Sequence, residues 1–551
     1  MRIIFLYIFF WFLLCRLKLK QSLHIIQLEG YSSEKYMNWI EGNKEIVHRS
    51  NDIIYVVFSL VFSVFTAVGS LGRRIYPYAV IYAAISLFLL YSNISSKEEY
   101  KKPLVFTPRA KRLYGIALAM VLLDLLITLG IVQIISKDVF SYLPIWAGIL
   151  TIIYYFSPLY IYGANFIAKP IENRINNKYY EAASEKIKNM NINSVGITGS
   201  YGKTSTKFIT AAILSERYKV LNTPESYNTP MGISKVINNE LTPDYDVFIA
   251  ELGATKLKDI DEVAKLANPK IGIITSIGPC HLETFKSIDN IMRTKYELIE
   301  NLPDNGTAIF NYDNEYVRKL SDKTFKAKLL YGIENIEEAD VFATNIHVDS
   351  NGSSFSLCIS SLGTIDCTTK LLGEHNILNI LAGVSVASVL GLSLEEIARG
   401  ISKLKPVEHR LQLIDQGTGV LVIDDAFNSN PDGAKAALNV LNSFKDRRKI
   451  IVTPGMIELG DLEKKENFKF GENIASVCDA AILVGKKRTI PIYEGIRKHN
   501  FNEDNLYVVN SLNEATEILK TLTRINDVVL FENDLPDSHE KNRYYYRREI
   551  R

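Results

Sequence analysis

GITGSYGKTS, residues 196–205, decides how the rest of this chain is read. It lies between a predicted strand at 194–198 and a predicted helix at 203–216. Glycines let the backbone curl tightly, so that successive N–H groups point at phosphate oxygens. The helix that follows adds its positive N-terminal end. Gly199, Ser200, Tyr201, Gly202, Lys203, Thr204 and Ser205 are therefore the candidate phosphate cradle. Lys203 can neutralise terminal phosphates, and Thr204 can present a hydroxyl to Mg²⁺. The strict G-x-x-x-x-G-K-[ST] pattern would need glycine at 197, where Ile197 stands. The GKT core in a strand–loop–helix context carries the reading without it.

Outward from this loop, short β-rich runs alternate with helical stretches. Strands are predicted at 219–221, 246–251 and 270–276, and helices at 258–266 and 287–301. Such alternation implies a largely parallel sheet covered by helices. Residues 341–371 read as consecutive strands, and helical patterns return at 374–390 and 393–402. A second alternating block begins near Leu411, with strands at 420–424, 449–453, 480–484, 506–509 and 528–531, and a boundary near Pro406. Glu251 and His281 stand at or just after strand ends, where ligands bind in sheets of this kind. Together with Thr204, a carboxylate and an imidazole suit a divalent ion beside phosphate oxygens.

Before the loop the pattern differs. The runs 53–71, 75–92, 114–135 and 139–162 are each apolar and long enough to span a bilayer at about 1.5 Å per helical residue. A shorter run at 3–15 is flanked by Arg16, Lys18 and Lys20, without a small-residue cleavage site, and reads as an uncleaved span. Four or five spans are thus expected. Lys and Arg crowd the loops 16–52 and 93–112 and the segment after 162, so these and all that follows are expected in the cytoplasm. Asp124, mid-span in VLLDLLITL, reads either as a functional carboxylate or as a helix-packing hydrogen-bond partner.

Composition narrows the classes. With 63 Lys+Arg against 61 Asp+Glu and 47% hydrophobic residues in 551, the chain is neither wholly disordered nor a strongly basic nucleic-acid binder. Five scattered cysteines without a CxxC pair read as reduced thiols, not a disulfide framework or a zinc site. No G-x-S-x-G nucleophile motif is present. Cys280, directly before His281, reads as structural.

The chain resembles the Mur ligases, the ATP-dependent amide-forming enzymes of bacterial cell-wall precursor assembly, and within them the dipeptide-adding branch. The resemblance rests on an ordered series: GITGSYGKTSTK at 196–207, NTPESYNTPMGI at 222–233, ELGA at 251–254, IGPCHLETFKSIDNIMRTKYELI at 277–299, LLGEHNILNILAGVSVASVLGL at 371–392, EHRLQLI at 408–414 and DDAFNSNPDGAKAAL at 424–438. It covers about half the chain. The fold it implies, placed after the membrane spans, is an α-helical transmembrane domain followed by α/β: a P-loop central domain with a parallel sheet, then a C-terminal Rossmann-like domain. The boundaries expected are 1–162 for the spans, 163–188 for a linker, 189–405 for the central domain and 406–551 for the C-terminal domain.

The resemblance also assigns roles. Lys203 and its loop would hold the β- and γ-phosphates of ATP. Thr204 and Glu251 would serve one Mg²⁺ and His281 a second. Lys295 matches a position carbamylated in the family, a change that turns a cation into an anion able to hold the second metal. Asn376 and Asn379 fall where the family contacts the base. Arg410 and Asp425 fall where the second domain reaches ribose and phosphate, with Asn428 beside them. The bland alternatives are helix packing for Asn379 and a surface ion pair for Arg410. The implied reaction passes through an acyl phosphate, which an amine then displaces.

Two departures from the family pattern matter. The place of a nucleotide-sugar-binding domain is taken by the spans and linker, so the carboxylate-bearing envelope precursor is UDP-linked or lipid-linked. The segment DVVLFENDLPDSHEKN at 527–542 replaces an expected KGS-type segment, which leaves the amine, an amino acid or a dipeptide, open. The alternatives weighed are a ligase for another envelope polymer, such as a poly-γ-glutamate-like chain, and an ATP-driven transporter, against which no LSGGQ-like signature appears. The expected setting is a multi-pass protein of the cell membrane, with the bilayer as a partner, no nucleic acid, and the catalytic domains in the cytoplasm.

Overall fold

From Asn193 onward the apolar runs assemble into two sheets. In the computed structural model, which describes residues 2–68, 75–95, 103–135, 143–225, 227–280, 282–349, 351–415, 417–426, 430–457 and 459–533, the chain divides into two units. The first reaches to Asn176, and the second runs from Asn177 to Leu535.

In the second unit, the first sheet takes β1 (Asn193–Thr198), β2 (Val220–Asn222), β3 (Val247–Glu251), β4 (Ile271–Ile274), β5 (Thr307–Asn311), β6 (Lys328–Gly332), β7 (Val341–Asp349), β8 (Gly352–Ile359) and β9 (Gly363–Thr369). Their order is β2-β3-β1-β4-β5-β6-β7-β8-β9. Pairing is parallel as far as β7 and antiparallel from β7 to β9. The change matches the run of strands read without helices at 341–371. Strands β3 and β4 are buried along their whole length, as a sheet covered on both faces requires. The sequence reading did not single out β5 or β6.

β1 sits between β3 and β4, with Ile197 opposite Glu251 and Thr198 opposite Ile274. That register brings the loops after all three strands to one sheet edge. The helix Lys203–Leu214 packs against the helix Glu374–Val389, where a Cβ on Gly383 would come within 3.1 Å of Thr210 Oγ1.

The second sheet contains β10 (Gln412–Asp415), β11 (Leu421–Asp425), β12 (Arg448–Thr453), β13 (Ala480–Val484), β14 (Leu506–Val509) and β15 (Asp527–Glu532), in the order β10-β11-β15-β12-β13-β14. Only the β10–β11 pair is antiparallel. Asp425 and Glu532 are register partners at the carboxyl ends of β11 and β15.

The first unit is helical. The run at 3–15 forms part of one helix, Arg2–Leu28, which also carries Arg16, Lys18 and Lys20. The single span expected at 139–162 is instead two helices, bent by 61° at a break between Tyr155 and Ser157. Pro158 follows the break directly; without an N–H it cannot donate to the carbonyl four residues before it, so the helical ladder is interrupted there. The second of these helices, Ser157–Lys188, contains the whole segment read as a linker. Among the described residues one helix, Pro108–Ile134, is long and apolar enough to cross a membrane, or two if the bent pair is one span. Four or five had been expected. Ser50–Val61 and Val80–Ser92 are apolar but shorter.

Lys18, Asp52 and Glu172 are buried charges, each with a partner of opposite charge. Lys18 Nζ lies 2.9 Å from Asp52 Oδ2, both side chains nearly excluded from solvent. The Tyr154 hydroxyl also donates to Asp52. Arg112 grips Glu172 through two bonds of 2.7 and 2.9 Å. Asp124 accepts from the Tyr160 hydroxyl, the helix-packing arrangement of the two read from sequence. Large apolar side chains such as Val61, Phe88, Leu126 and Phe166 point outward.

Removing one member of the Lys18–Asp52 pair strands a buried charge. Asp52→Leu is expected to cost about 3 kcal/mol. Lys18→Met combined with Asp52→Leu should recover most of that loss, read by thermal unfolding in detergent.

Candidate functional site

The loop after β1 is shaped by its glycines and by the loop after β4. Gly199 has φ +157°, and a Cβ there would fall 2.0 Å from Thr275 Oγ1. Gly202 has φ +79°, caps the helix Lys203–Leu214, and would bring a Cβ to 2.7 Å from Asn379 Oδ1. The Ser200 N–H donates to Ser276 O at 2.6 Å, and Thr275 Oγ1 donates to Tyr201 O at 2.5 Å. Tyr201 donates its hydroxyl to Pro279 O at 3.1 Å. The loop is thereby tied open with its backbone already arranged.

Cations gather at this edge around one carboxylate. Lys203 Nζ donates to Gly199 O at 2.9 Å and Ser200 O at 3.1 Å. Lys207, one helical turn further, is fully buried and lies 3.2 Å from Glu251 Oε2, while Asn228 Nδ2 donates to Glu251 Oε1 at 3.0 Å. Lys207 also donates to Glu225 O. Burial pushes Lys203, Lys207 and Arg410 below their ordinary values, with Glu251 opposing in each case. Burial alone would raise the Glu251 carboxyl, but Lys207 and Lys203 hold it below the usual carboxylate range. Glu251 is thereby favoured as the carboxylate.

Lys295, on the helix Ile288–Glu300, is also buried. Burial, and then the neighbouring Lys203 charge, lower it to about 7. Near neutrality a large share of its amine is uncharged.

The second sheet contributes from the facing side. A cavity of about 900 Å³ is lined by Tyr201, Gly202, Ser205, Asn376 and Asn379 from the first sheet's loops and helices. Arg410, Asp425, Asp432 and Glu532 line it from the second. Thr206 Oγ1 donates to Asn379 Oδ1 at 3.0 Å, Asn379 Nδ2 donates to Asn376 Oδ1 at 3.4 Å, and Asn376 Nδ2 donates to Leu372 O at 2.9 Å. Asn379 therefore packs helices and lines the cavity at once. Arg410 stands between two backbone outliers, His409 at φ +59° and Leu411 at φ +45°, a strained turn that aims its side chain inward. Leu411 N–H donates to Asp425 Oδ1 at 3.1 Å, and His409 Nδ1 meets Asp424 Oδ2 at 2.7 Å.

The structure thus brings together Gly199–Ser205, Glu251, Lys295, Asn376, Asn379, Arg410 and Asp425 in one region. His281 and Asn428 lie outside the described residues. Sequence reasoning missed Lys207, Asn228, Thr275 and Glu532. Lys207 lies four residues after Lys203 and so on the same helix face, and Glu532 ends a strand as Glu251 does; both signals were available.

The donor set fits a polyphosphate: a glycine-shaped N–H cradle, a lysine, and an arginine opposite. It fits one Mg²⁺ as well, since that ion is held by one or two protein oxygens and completed by phosphates. Glu251 and the buried Thr204 hydroxyl are hard oxygen donors of that kind. Among the described residues no group of three His, Cys, Asp or Glu converges on one point. Unmodified Lys295 does not fit a second metal; a carbamate at its nitrogen would.

Comparison with known proteins gives the same two halves. Residues 197–387 match the Mur ligase middle domain, and 409–532 match the Mur ligase, glutamate ligase domain. The chain is 34% identical over 307 residues to the UDP-N-acetylmuramoyl-tripeptide–D-alanyl-D-alanine ligase of Escherichia coli (strain K12), covering 55% of this chain and 67% of that one. It superposes on MurF from Acinetobacter baumannii with a TM-score of 0.59 and 26% identity, over 67% of this chain and 79% of the other. MurF ligase from Thermotoga maritima, solved in complex with ADP, gives 0.60 at 24% identity, over 67% and 82%.

Gly202→Ala adds a Cβ in a left-handed position against Asn379. The strain is on the order of 1–3 kcal/mol, which, where it is felt in the nucleotide-bound loop, corresponds to about 5- to 150-fold in affinity. Calorimetric titration with a non-hydrolysable ATP analogue should read that loss, with an unchanged far-ultraviolet circular dichroism spectrum.

Proposed function

The chain belongs to the Mur ligase family and is an ATP-dependent amino-acid ligase, and we propose that it joins a dipeptide amine to the carboxylate of a cell-wall precursor through an acyl phosphate. The observation that carries this reading is that the phosphate loop after β1, through Tyr201, Gly202 and Ser205, and Arg410 from the second sheet line one cavity. The amine class comes from the relatives, whose names specify D-alanyl-D-alanine and a UDP-linked tripeptide.

ATP supplies the phosphoryl group that makes the carboxylate reactive. The residues of the chain bind, orient and neutralise. Lys203 and the N–H groups of the Gly199–Thr204 loop, apart from that of Ser200 which donates to Ser276 O, hold the terminal phosphates where negative charge crowds. Arg410 meets them from the other side and balances charge as the γ-phosphoryl moves. Glu251 and Thr204 would hold Mg²⁺, with Lys207 and Asn228 fixing the carboxylate. Asn376 and Asn379 line the base end. Closure of the cavity by the second sheet keeps water from the activated carboxylate.

Lys295 would act as a carbamate. Its lowered proton affinity supports this, because carbon dioxide reacts with the neutral amine and not with the ammonium. The neutral fraction rises with pH through about 7, so carbamate formation at fixed dissolved carbon dioxide should rise over that same interval.

The carboxylate substrate is either UDP-linked or lipid-linked. We take the helical unit to hold the chain at the cell membrane, with both sheets on the cytoplasmic side. Support comes from the apolar helix Pro108–Ile134 and from the basic loops read in the sequence.

Purified in detergent with Mg²⁺ and bicarbonate, the chain is expected to form product from ATP, D-alanyl-D-alanine and either a UDP-muramoyl tripeptide or its lipid-linked form. Lys203→Ala should lower product formation about 100-fold or more. Unchanged turnover in that variant would end the phosphate-loop assignment. Separately, ¹³C-bicarbonate should give a carbamate carbonyl resonance that is absent in Lys295→Gln.

A further inference from the structure

Lys203 and the loop amides answer the phosphates, whereas Lys207 answers Glu251. Lys207 lies on the helix Lys203–Leu214, one turn beyond Lys203. Its side chain is fully buried, and that of Glu251 is nearly so. Lys207 Nζ stands 3.2 Å from Glu251 Oε2 and also donates to Glu225 O. The Phe208 ring centroid is 4.5 Å from the same nitrogen. A buried ammonium with these partners is anchored where it stands, because turning away would leave its charge without them.

Glu251 is held at both oxygens. Lys207 takes Oε2, and Asn228 Nδ2 donates to Oε1 at 3.0 Å. The Glu251 N–H donates to Thr223 Oγ1 at 3.2 Å, so the backbone beneath the carboxylate is fixed as well. The charge balance is set along with the position. One carboxylate faces one ammonium in contact, and Lys203 adds a second cation at longer range. A divalent cation on Glu251 would bring two further positive charges beside Lys207, in a site shielded from water, where like charges repel strongly. The Thr204 hydroxyl adds no negative charge to offset them. A polyphosphate brings that charge with it.

We propose that Lys207 bars Mg²⁺ from Glu251 until a polyphosphate is present, so that the metal enters this site only together with the nucleotide. This rests on the ligase reading above. Lys207 is then a positioning residue, acting through Glu251. Its bond to Glu225 O, at the far side from the carboxylate, keeps the ammonium in place when a metal approaches. The order of entry has a chemical use. Mg²⁺ gives up its water reluctantly, and a metal already settled on Glu251 with a full water shell would have to lose part of it to each arriving nucleotide. A metal carried in on the phosphates has made that exchange beforehand.

Mn²⁺ is the probe, since the paramagnetic resonance signal of the free ion falls as it binds. The full chain is titrated in detergent without added bicarbonate, and Glu251→Gln supplies the background from other sites. Without nucleotide, the wild type should bind no more Mn²⁺ than Glu251→Gln. Lys207→Gln keeps a hydrogen-bond donor for Glu251 and removes the charge. It should bind one Mn²⁺ above background, about tenfold or more tightly than the wild type. Damage to the fold weakens metal binding, so a gain is not what the loss of a merely structural lysine would give. A wild type that takes up this extra Mn²⁺ without nucleotide overturns the proposal, whether or not the variant folds. So does a Lys207→Gln protein with a wild-type circular dichroism spectrum that binds no more than the wild type. With a non-hydrolysable ATP analogue present, the wild type should bind Mn²⁺ and analogue together. A wild type that does not bind the analogue, with Mn²⁺ or without, counts instead against the ligase reading.

Discussion

A buried excess of positive charge around a single carboxylate organises this protein. Lys207 and Glu251 meet at 3.2 Å with essentially no solvent access, and Lys203 and Arg410 share the same anion at longer range. Charges so placed are costly unless paired. Glu251 is taken by Lys207 and Asn228, and Lys203 donates only to carbonyls of its own loop, so the site suits a ligand with several negative charges in a row. A triphosphate has that form. Burial, and then the neighbouring Lys203 charge, depress Lys295 and leave its amine open to chemistry that an ordinary lysine at neutral pH would not undergo.

The two sheets divide the work. The first presents backbone N–H groups and lysines at the carboxyl ends of β1, β3 and β4, a location set by parallel strand order. The second presents Arg410 from a strained turn and two acids from strand ends. Arg410 and the two acids thus line one cavity with the phosphate loop. In the helical unit, by contrast, the interior charges are closed off in pairs, and its outward side chains are apolar.

The sequence was legible wherever a few contiguous residues decide the geometry. The glycine spacing of 199–202, the strand ending in Glu251 and the alternation of strands and helices all appear as read, within a residue or two at most ends. Reading failed where a partner is distant. Nothing local marks Lys207 as the counter-ion of Glu251, 44 residues away. The apolar run at 139–162 met the length criterion for a span, but that criterion does not weigh Pro158, a local feature at the break that bends it.

The sequence by itself therefore determined the phosphate loop, the order of elements and the family, because these follow from local backbone preference and short-range pattern. The tertiary structure decided which charges share a site. The loop of Lys203 with Glu251, and Asp425 with Glu532, are brought together by the register of strands that are neighbours in a sheet but far apart in the chain, and Arg410 comes from the second sheet. Burial then shifts their proton affinities, and burial is a property of the packed whole that no single segment encodes.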